Sequence, residues 1–165
     1  MKRENKKLLN ELYIQHQKKK HPSVPEHCLA QKYAHSDNST NGLTKCIIDF
    51  LNYSGHYAER INTTGKYVDN SKVVENVLGQ KVKVGSGQWI KGTGVKGRAD
   101  ITAKIKMENT PYPVAVEIEI KFGKDRMSDA QKEYQSKMED IGTPYVVIKT
   151  FDNFIEWFNL FTKKL

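Results

Sequence analysis

The chain has 165 residues, enough for one domain with a substantial core, and carries 27 Lys and Arg against 19 Asp and Glu, a net charge of +8 with a pI near 9.3. That excess favours a polyanionic partner. No apolar stretch approaches a membrane span, the lysine-rich start lacks the apolar core of a signal peptide, and Cys28 and Cys46 give no disulfide framework, so the expectation is a soluble cytoplasmic protein with reduced thiols.

Residues 1–38 read as a basic N-terminal arm, partly helical or disordered, ahead of a single domain over residues 39–165. Seven Lys and Arg against two Glu fall in the first twenty positions. Leu8, Leu9, Leu12 and Tyr13 supply one stripe of a short helix, which Pro22 and Pro25 end. Such an arm either tracks phosphates or is a solvated tail. Cys28 lies near His21, His27 and His35, but in no zinc-ligand spacing, so their proximity reads as incidental.

A first core helix follows, capped by Thr40 or Asn41, with Leu43, Ile47, Phe50 and Leu51 as its buried stripe and Gly55 as its stop. Residues 56–61 read as a strand and residues 62–65 as a turn. Short strands are expected around residues 67–68, 73–74, 81–84 and 88–90, punctuated by glycines. Trp89 is either a base-stacking residue or part of the core. The glycine-rich stretch 91–97 lacks a Gly-Lys-Ser/Thr ending and precedes a strand, which excludes a nucleotide-binding P-loop.

The most informative segment comes next. Ile101, Ala103, Ile105 and Met107 alternate with Asp100, Thr102, Lys104 and Lys106; after a turn-rich stretch, Val114, Val116, Ile118 and Ile120 alternate with Glu117, Glu119 and Lys121. Matching the apolar faces of this hairpin puts Met107 opposite Val114 and Ile101 opposite Ile120. Asp100 then faces Lys121 and lies diagonal to Glu119. Two hard carboxylates beside a lysine form a site for Mg²⁺ or Mn²⁺ with a general base next to it. The plainer alternative is a cross-strand ion-pair group on a solvated face.

Ser128-Asp-Ala-Gln131 is a capping box that opens a helix running to Gly142; residues 145–149 form a further strand, and Phe151, Phe154, Ile155, Phe158 and Phe161 recur at helical spacing. Helices and strands in this order predict an α/β fold with a mixed central sheet flanked by helices.

Several of these pieces, in order, resemble the VRR-NUC (virus-type replication–repair nuclease) family of PD-(D/E)XK nucleases. Gly97-Arg-Ala-Asp100 is similar to its Gly-x-Pro-Asp step, with Ala99 in place of proline. Glu119-Ile-Lys121 matches its Glu-x-Lys signature, and Gly123 through Met127-Ser128 to Gln131 matches its next segment. The resemblance covers residues 41–158 but is specific only over 97–131. It implies a restriction-endonuclease-like core and a divalent-metal-dependent DNA endonuclease of the virus-encoded branch, working in a bacterial or phage-infected cell. It further implies a homodimer acting on branched DNA such as a four-way (Holliday) junction. Flap or 5′-end cleavage is a rival within the class, and a non-catalytic DNA-binding or interaction module that retains the fold is a rival outside it.

On this resemblance Asp100, Glu119 and the Ile120 carbonyl hold the metal ion, and Lys121 positions or deprotonates the attacking water. Gln131 faces the site or closes the capping box, roles expected to exclude one another. The glutamate that the family often presents on its first core helix is missing from residues 40–44. Glu117, on the same strand face as Glu119, either takes over as a metal-site carboxylate or only solvates the strand. Arg60 and Asn62, and then Lys96, Arg98, Lys124 and Arg126, are the candidate DNA contacts.

Overall fold

A computed structural model describes residues 1–62, 65–92 and 94–163. Helix α1 spans Arg3–Lys20 and α2 Thr40–Tyr53, with one 3₁₀ turn, Glu26–Cys28, between them. Strands β1 (Tyr57–Arg60), β6 (Ile101–Ile105), β7 (Val114–Ile120) and β8 (Tyr145–Ile148) form a sheet in the order β1-β6-β7-β8. The first three are antiparallel and β8 joins β7 in parallel, through helix α3 (Asp129–Asp140). Helix α4 (Phe151–Lys163) ends the described chain. The protein is thus a mixed α/β fold with a four-stranded mixed sheet flanked by helices. Among the described residues no helix is long and apolar enough to cross a membrane.

Period two fixes which sheet face is dry. Ile101, Ala103, Ile105, Val116, Ile118 and Ile120 are almost fully buried and share one cluster with Leu43, Ile47 and Leu51 of α2 and Phe151 and Phe154 of α4. Ser39, not Thr40 or Asn41, caps α2: its Oγ accepts the Gly42 N–H at 3.1 Å. Gly55 (φ +83°) stops the helix, with His56 N–H on the Leu51 carbonyl and Gly55 N–H on that of Asn52, a Schellman closure.

The basic N-terminal segment lies on the domain. Leu9 of α1 is 1 % exposed within the same core, and the terminal ammonium sits 3.2 Å from Asp37 and 3.7 Å from Asp152 at the start of α4. The expected short strands are present as β2 (Lys66–Asp69), β3 (Lys72–Glu75), β4 (Lys81–Val84) and β5 (Gly87–Ile90). They nest as β2 with β5 and β3 with β4, an antiparallel arm outside the main sheet. Of the expected turn over residues 62–65, positions 63 and 64 lie outside the described residues.

The β6–β7 register differs from the expected one by two residues. Ile101 pairs with Ile118 and Ile105 with Val114, leaving residues 106–113 as the connection. Val114 opens β7 in both registers; the observed one lengthens the connection by Lys106 and Met107 on the β6 side. An even shift keeps every side chain on its face. Its effect on the polar face is to place Asp100 opposite Glu119, where Lys121 was expected.

Candidate active site

Asp100, Glu119, Lys121 and Gln131 converge. Asp100 precedes β6, and its Oδ2 accepts the Ile120 N–H at 3.0 Å, tying the carboxylate to β7. The Lys121 ammonium lies 2.8 Å from Glu119 Oε1 and 3.5 Å from Asp125 Oδ2. From the first turn of α3, Gln131 donates through Nε2 to Glu119 Oε1 (2.5 Å) and accepts through Oε1 from the Lys121 ammonium (3.0 Å). The same Oε1 accepts the Ser128 N–H at 2.9 Å, and Ser128 Oγ accepts the Gln131 N–H, so the capping box is complete. The two roles expected to exclude one another coexist, because a primary amide has two ends and its oxygen two lone pairs.

The face carrying these groups is not solvated. Glu117, Glu119 and Lys121 are 7 %, 1 % and 5 % exposed, beneath α3 and beside β8. Burial pushes the Glu119 carboxyl above its usual range; Lys121 opposes the shift and the negative charge of Asp100 adds to it. For Lys121 burial works against the ammonium, but Glu119 and Asp125 outweigh it and hold the pKa above the ordinary lysine value. Lys121 is therefore charged, a hydrogen-bond donor and not a ready base.

Gly97 positions this assembly. It adopts φ +80°, and a Cβ there would run into the Ala130 carbonyl oxygen and the Gln131 nitrogen. The segment leading to Asp100 thus passes directly against the first turn of α3, which carries Gln131.

Glu117, expected either as a metal-site carboxylate or in solvent, is 7 % exposed and so does not solvate the strand; its Oε1 accepts from Thr102 Oγ1 at 3.2 Å. Burial raises its pKa, partly offset by the nearby Arg98 guanidinium. Among the described residues, Glu117 Oε2 and Arg98 Nε are the two buried side-chain atoms without a hydrogen-bond partner. Arg98 is thus half-buried against Glu117 and Tyr134, and is not a free surface charge. Lys96, Lys124 and Arg126 are exposed, as is Asn62 just beyond β1. Arg60 pairs with Ile101 and donates to Asn41 Oδ1 at 2.9 Å, which puts it on the α2 side of the sheet. There it lines a cavity of about 760 Å³ with His35, Asn41 and Lys45. None of Asp100, Glu119, Lys121 and Gln131 lines that cavity. Trp89 is 64 % exposed and opposite Tyr67, so it is not core.

No protein-family model, curated protein or solved structure matches this chain.

Tyr145 is a member of the site that alternation did not reveal. It pairs with Glu117 across the parallel β7–β8 ladder, and its hydroxyl donates to Glu119 Oε2 at a long 3.4 Å. Burial, together with Glu119 and Asp100, drives its pKa far up, so the phenol stays protonated. Tyr134 of α3 packs against it with ring centroids 6.3 Å apart. The one available signal was its place at the head of a strand entered from Pro144.

Asp100, Glu119 and the Ile120 carbonyl offer only oxygen donors, which fit a hard divalent cation. The mutual repulsion that helps raise the Glu119 pKa is what such a cation would relieve. Among the described residues no three His, Cys, Asp or Glu side chains gather as a metal cage. Two carboxylates and a peptide oxygen instead leave room for the waters that Mg²⁺ retains.

Proposed function

We propose that this chain is a Mg²⁺- or Mn²⁺-dependent phosphodiesterase of the PD-(D/E)XK type that hydrolyses DNA, with branched DNA as the preferred substrate and a homodimer as the working form. The observation that carries the reading is the buried Glu119–Lys121–Gln131 network next to Asp100. A lysine and a glutamate removed from water cost several kcal/mol per ion, and apolar residues of similar volume would stabilise the sheet at least as well. Perturbed, tightly positioned ionisable groups of this kind mark functional sites.

Asp100, Glu119 and the Ile120 carbonyl would hold the cation. When bound, it supplies Lewis acidity toward the scissile phosphate. Lys121, kept as an ammonium, offers a fixed positive charge to the negative charge that grows on the phosphate. Gln131 holds Glu119 and Lys121 in one orientation, so neither must reorganise during the reaction. Tyr145 and Tyr134 wall the site on the β8 side and limit access of bulk water.

A second reading, a DNA-binding module without catalysis, draws on one observation: Glu119 Oε1 is already engaged by Lys121 and Gln131. A cleavage assay on linear, flap and four-way-junction DNA with Mg²⁺ or Mn²⁺ separates the two. The nuclease reading expects metal-dependent cutting that Lys121→Ala and Glu119→Gln each abolish, with DNA affinity kept within a few-fold. Binding without cutting by the parent protein establishes the module, and turnover by pure Lys121→Ala protein refutes the assigned chemistry.

A further inference from the structure

The arm built from β2–β5 and β3–β4 has no part in the site above. Every residue of β3 and β4 is exposed, so its outer half is uncovered on both faces. More than half of the exposed large hydrophobic side chains among the described residues lie between residues 67 and 90, a concentration that scattered surface apolars do not produce. The extreme case is the tip, where Val77 is 103 % and Leu78 78 % exposed.

That tip is held in shape. Asn76 Oδ1 accepts the N–H groups of Leu78 (3.0 Å) and Gln80 (2.9 Å), while the Asn76 N–H donates to the Gln80 carbonyl and Gly79 N–H to that of Asn76. Gly79 takes φ +75°, the left-handed conformation that closes the turn. An apolar pair fixed outward into water adds nothing to the stability of its own domain.

Charge decides between partners. Residues 65–92 carry five lysines against Asp69 and Glu75; Lys83 pairs with Asp69 at 3.1 Å and Lys81 lies opposite Glu75, so the arm's positive excess rests on Lys66, Lys72 and Lys91. Two copies of such an arm laid together would bring two net positive charges together, whereas a polyanion neutralises that excess. A two-stranded ribbon fits a duplex groove. Apolar side chains at a tip are the devices that unstack a base step and kink the duplex.

We propose that this arm is a DNA wedge: β3–β4 enters a groove with the arm's net positive charge toward the phosphates, and Val77 and Leu78 insert between neighbouring bases at a branch or kink. The proposal rests on DNA being the ligand, as read above, and not on cleavage. The test uses the full chain in metal-free buffer, with four-way-junction and linear duplexes carrying 2-aminopurine next to the branch or at mid-duplex. Parent protein should raise the fluorescence of the branch probe as the base unstacks. Val77→Ser/Leu78→Ser should lose most of that rise and about tenfold in junction affinity, with an unchanged melting temperature. Val77→Ile/Leu78→Met should restore both.

An unchanged signal and affinity in the serine variant overturn the wedge. So does a parent protein that binds no DNA. A serine variant that shifts from dimer to monomer in sedimentation, with its DNA response intact, assigns the tip to a second copy and also overturns the proposal. Cleavage is read separately with Mg²⁺. Loss of the nuclease reading alone leaves a Val77- and Leu78-dependent signal without cutting, and loss of the wedge alone leaves cutting without that signal.

Discussion

Gln131→Ala should uncouple α3 from the carboxylate site, and the size of the effect follows from what the amide touches. The substitution removes one arm of the capping box, the bond to the Ser128 N–H, for about 0.5–1 kcal/mol. It also removes hydrogen bonds to Lys121 and Glu119, each to a charged group and each worth roughly 1.5–3 kcal/mol. Because Lys121 and Glu119 keep one another at 2.8 Å, neither charge is orphaned, and the net loss should be about 2–4 kcal/mol. For a domain of this size that lowers the melting temperature by roughly 5–12 °C. Melting is followed by circular dichroism in metal-free buffer, so that cation binding does not add its own stabilisation. Ser128→Ala is the control: it loses one side-chain acceptor, about 1 kcal/mol, and leaves the Gln131 contacts to the site in place. A Gln131→Ala protein within about 0.5 kcal/mol of its parent would falsify the bridging role, whatever its activity.

Gly97→Ala should be worse than its one-methyl change suggests. A residue with a Cβ at φ +80° costs about 1–2 kcal/mol, and the clash with Ala130 displaces the turn that carries Gln131, so stability and cleavage should fall together; intact cleavage in a destabilised but folded variant refutes the link. His56 gives a pH dependence: burial, helped by Lys106, lowers its pKa, and its Nδ1 accepts the Lys106 N–H at 3.1 Å. Its folded pKa lies below the unfolded value near 6.5, so its stabilisation is complete above that pH and is lost as pH falls through the folded pKa. The urea midpoint should drop on acidification, and His56→Phe should remove that share of the slope; identical slopes in the two proteins count against it. For the basic helix α1, deletion is the wrong test, since it removes Leu9 from the core. Lys19→Ser/Lys20→Ser changes only exposed charges, and should flatten the salt dependence of DNA binding by about 0.9 in log–log slope for each phosphate these lysines neutralise. An unaltered slope makes them passive.

How far the sequence carried depends on what each signal can resolve. Helices α2 and α4 were legible because their apolar residues recur at helical spacing, and β6 and β7 because theirs alternate. Alternation fixes a face but is blind to a shift of two, which is why the polar partner of Asp100 was misplaced while the apolar residues of β6 and β7 kept their face. Ser39 was passed over because Asn38, Ser39, Thr40 and Asn41 are all competent caps, and only the backbone selects one. The packing of α1 was hidden by composition: one deeply buried leucine in a lysine-rich helix leaves too weak a stripe to separate a docked helix from a tail. The arm strands were found, but their nesting was not, since pairing between segments that far apart leaves no periodic trace.

The candidate site separates in the same way. Its members Asp100, Glu119, Lys121 and Gln131 could be named from ordered motifs, and the structure brings all four together. Its environment could not be read, because a strand that alternates Ile with Glu and Lys looks like a half-wet strand until something covers the charged side. The cover is α3, held by Tyr134 packed on Tyr145 and by the polar network: Gln131 caps its own helix with one lone pair and binds Lys121 with another. A cross-strand ion pair on a solvated face would be worth about 0–1 kcal/mol and would tolerate replacement. Buried, the same residues become a single unit: one amide closes the cap of α3 and bonds both Glu119 and Lys121, whose charge Glu119 and Asp125 maintain. That is why Tyr145, Thr102 and Arg98 matter to the site without any motif to announce them: each hydrogen-bonds or offsets a carboxyl whose pKa burial raises.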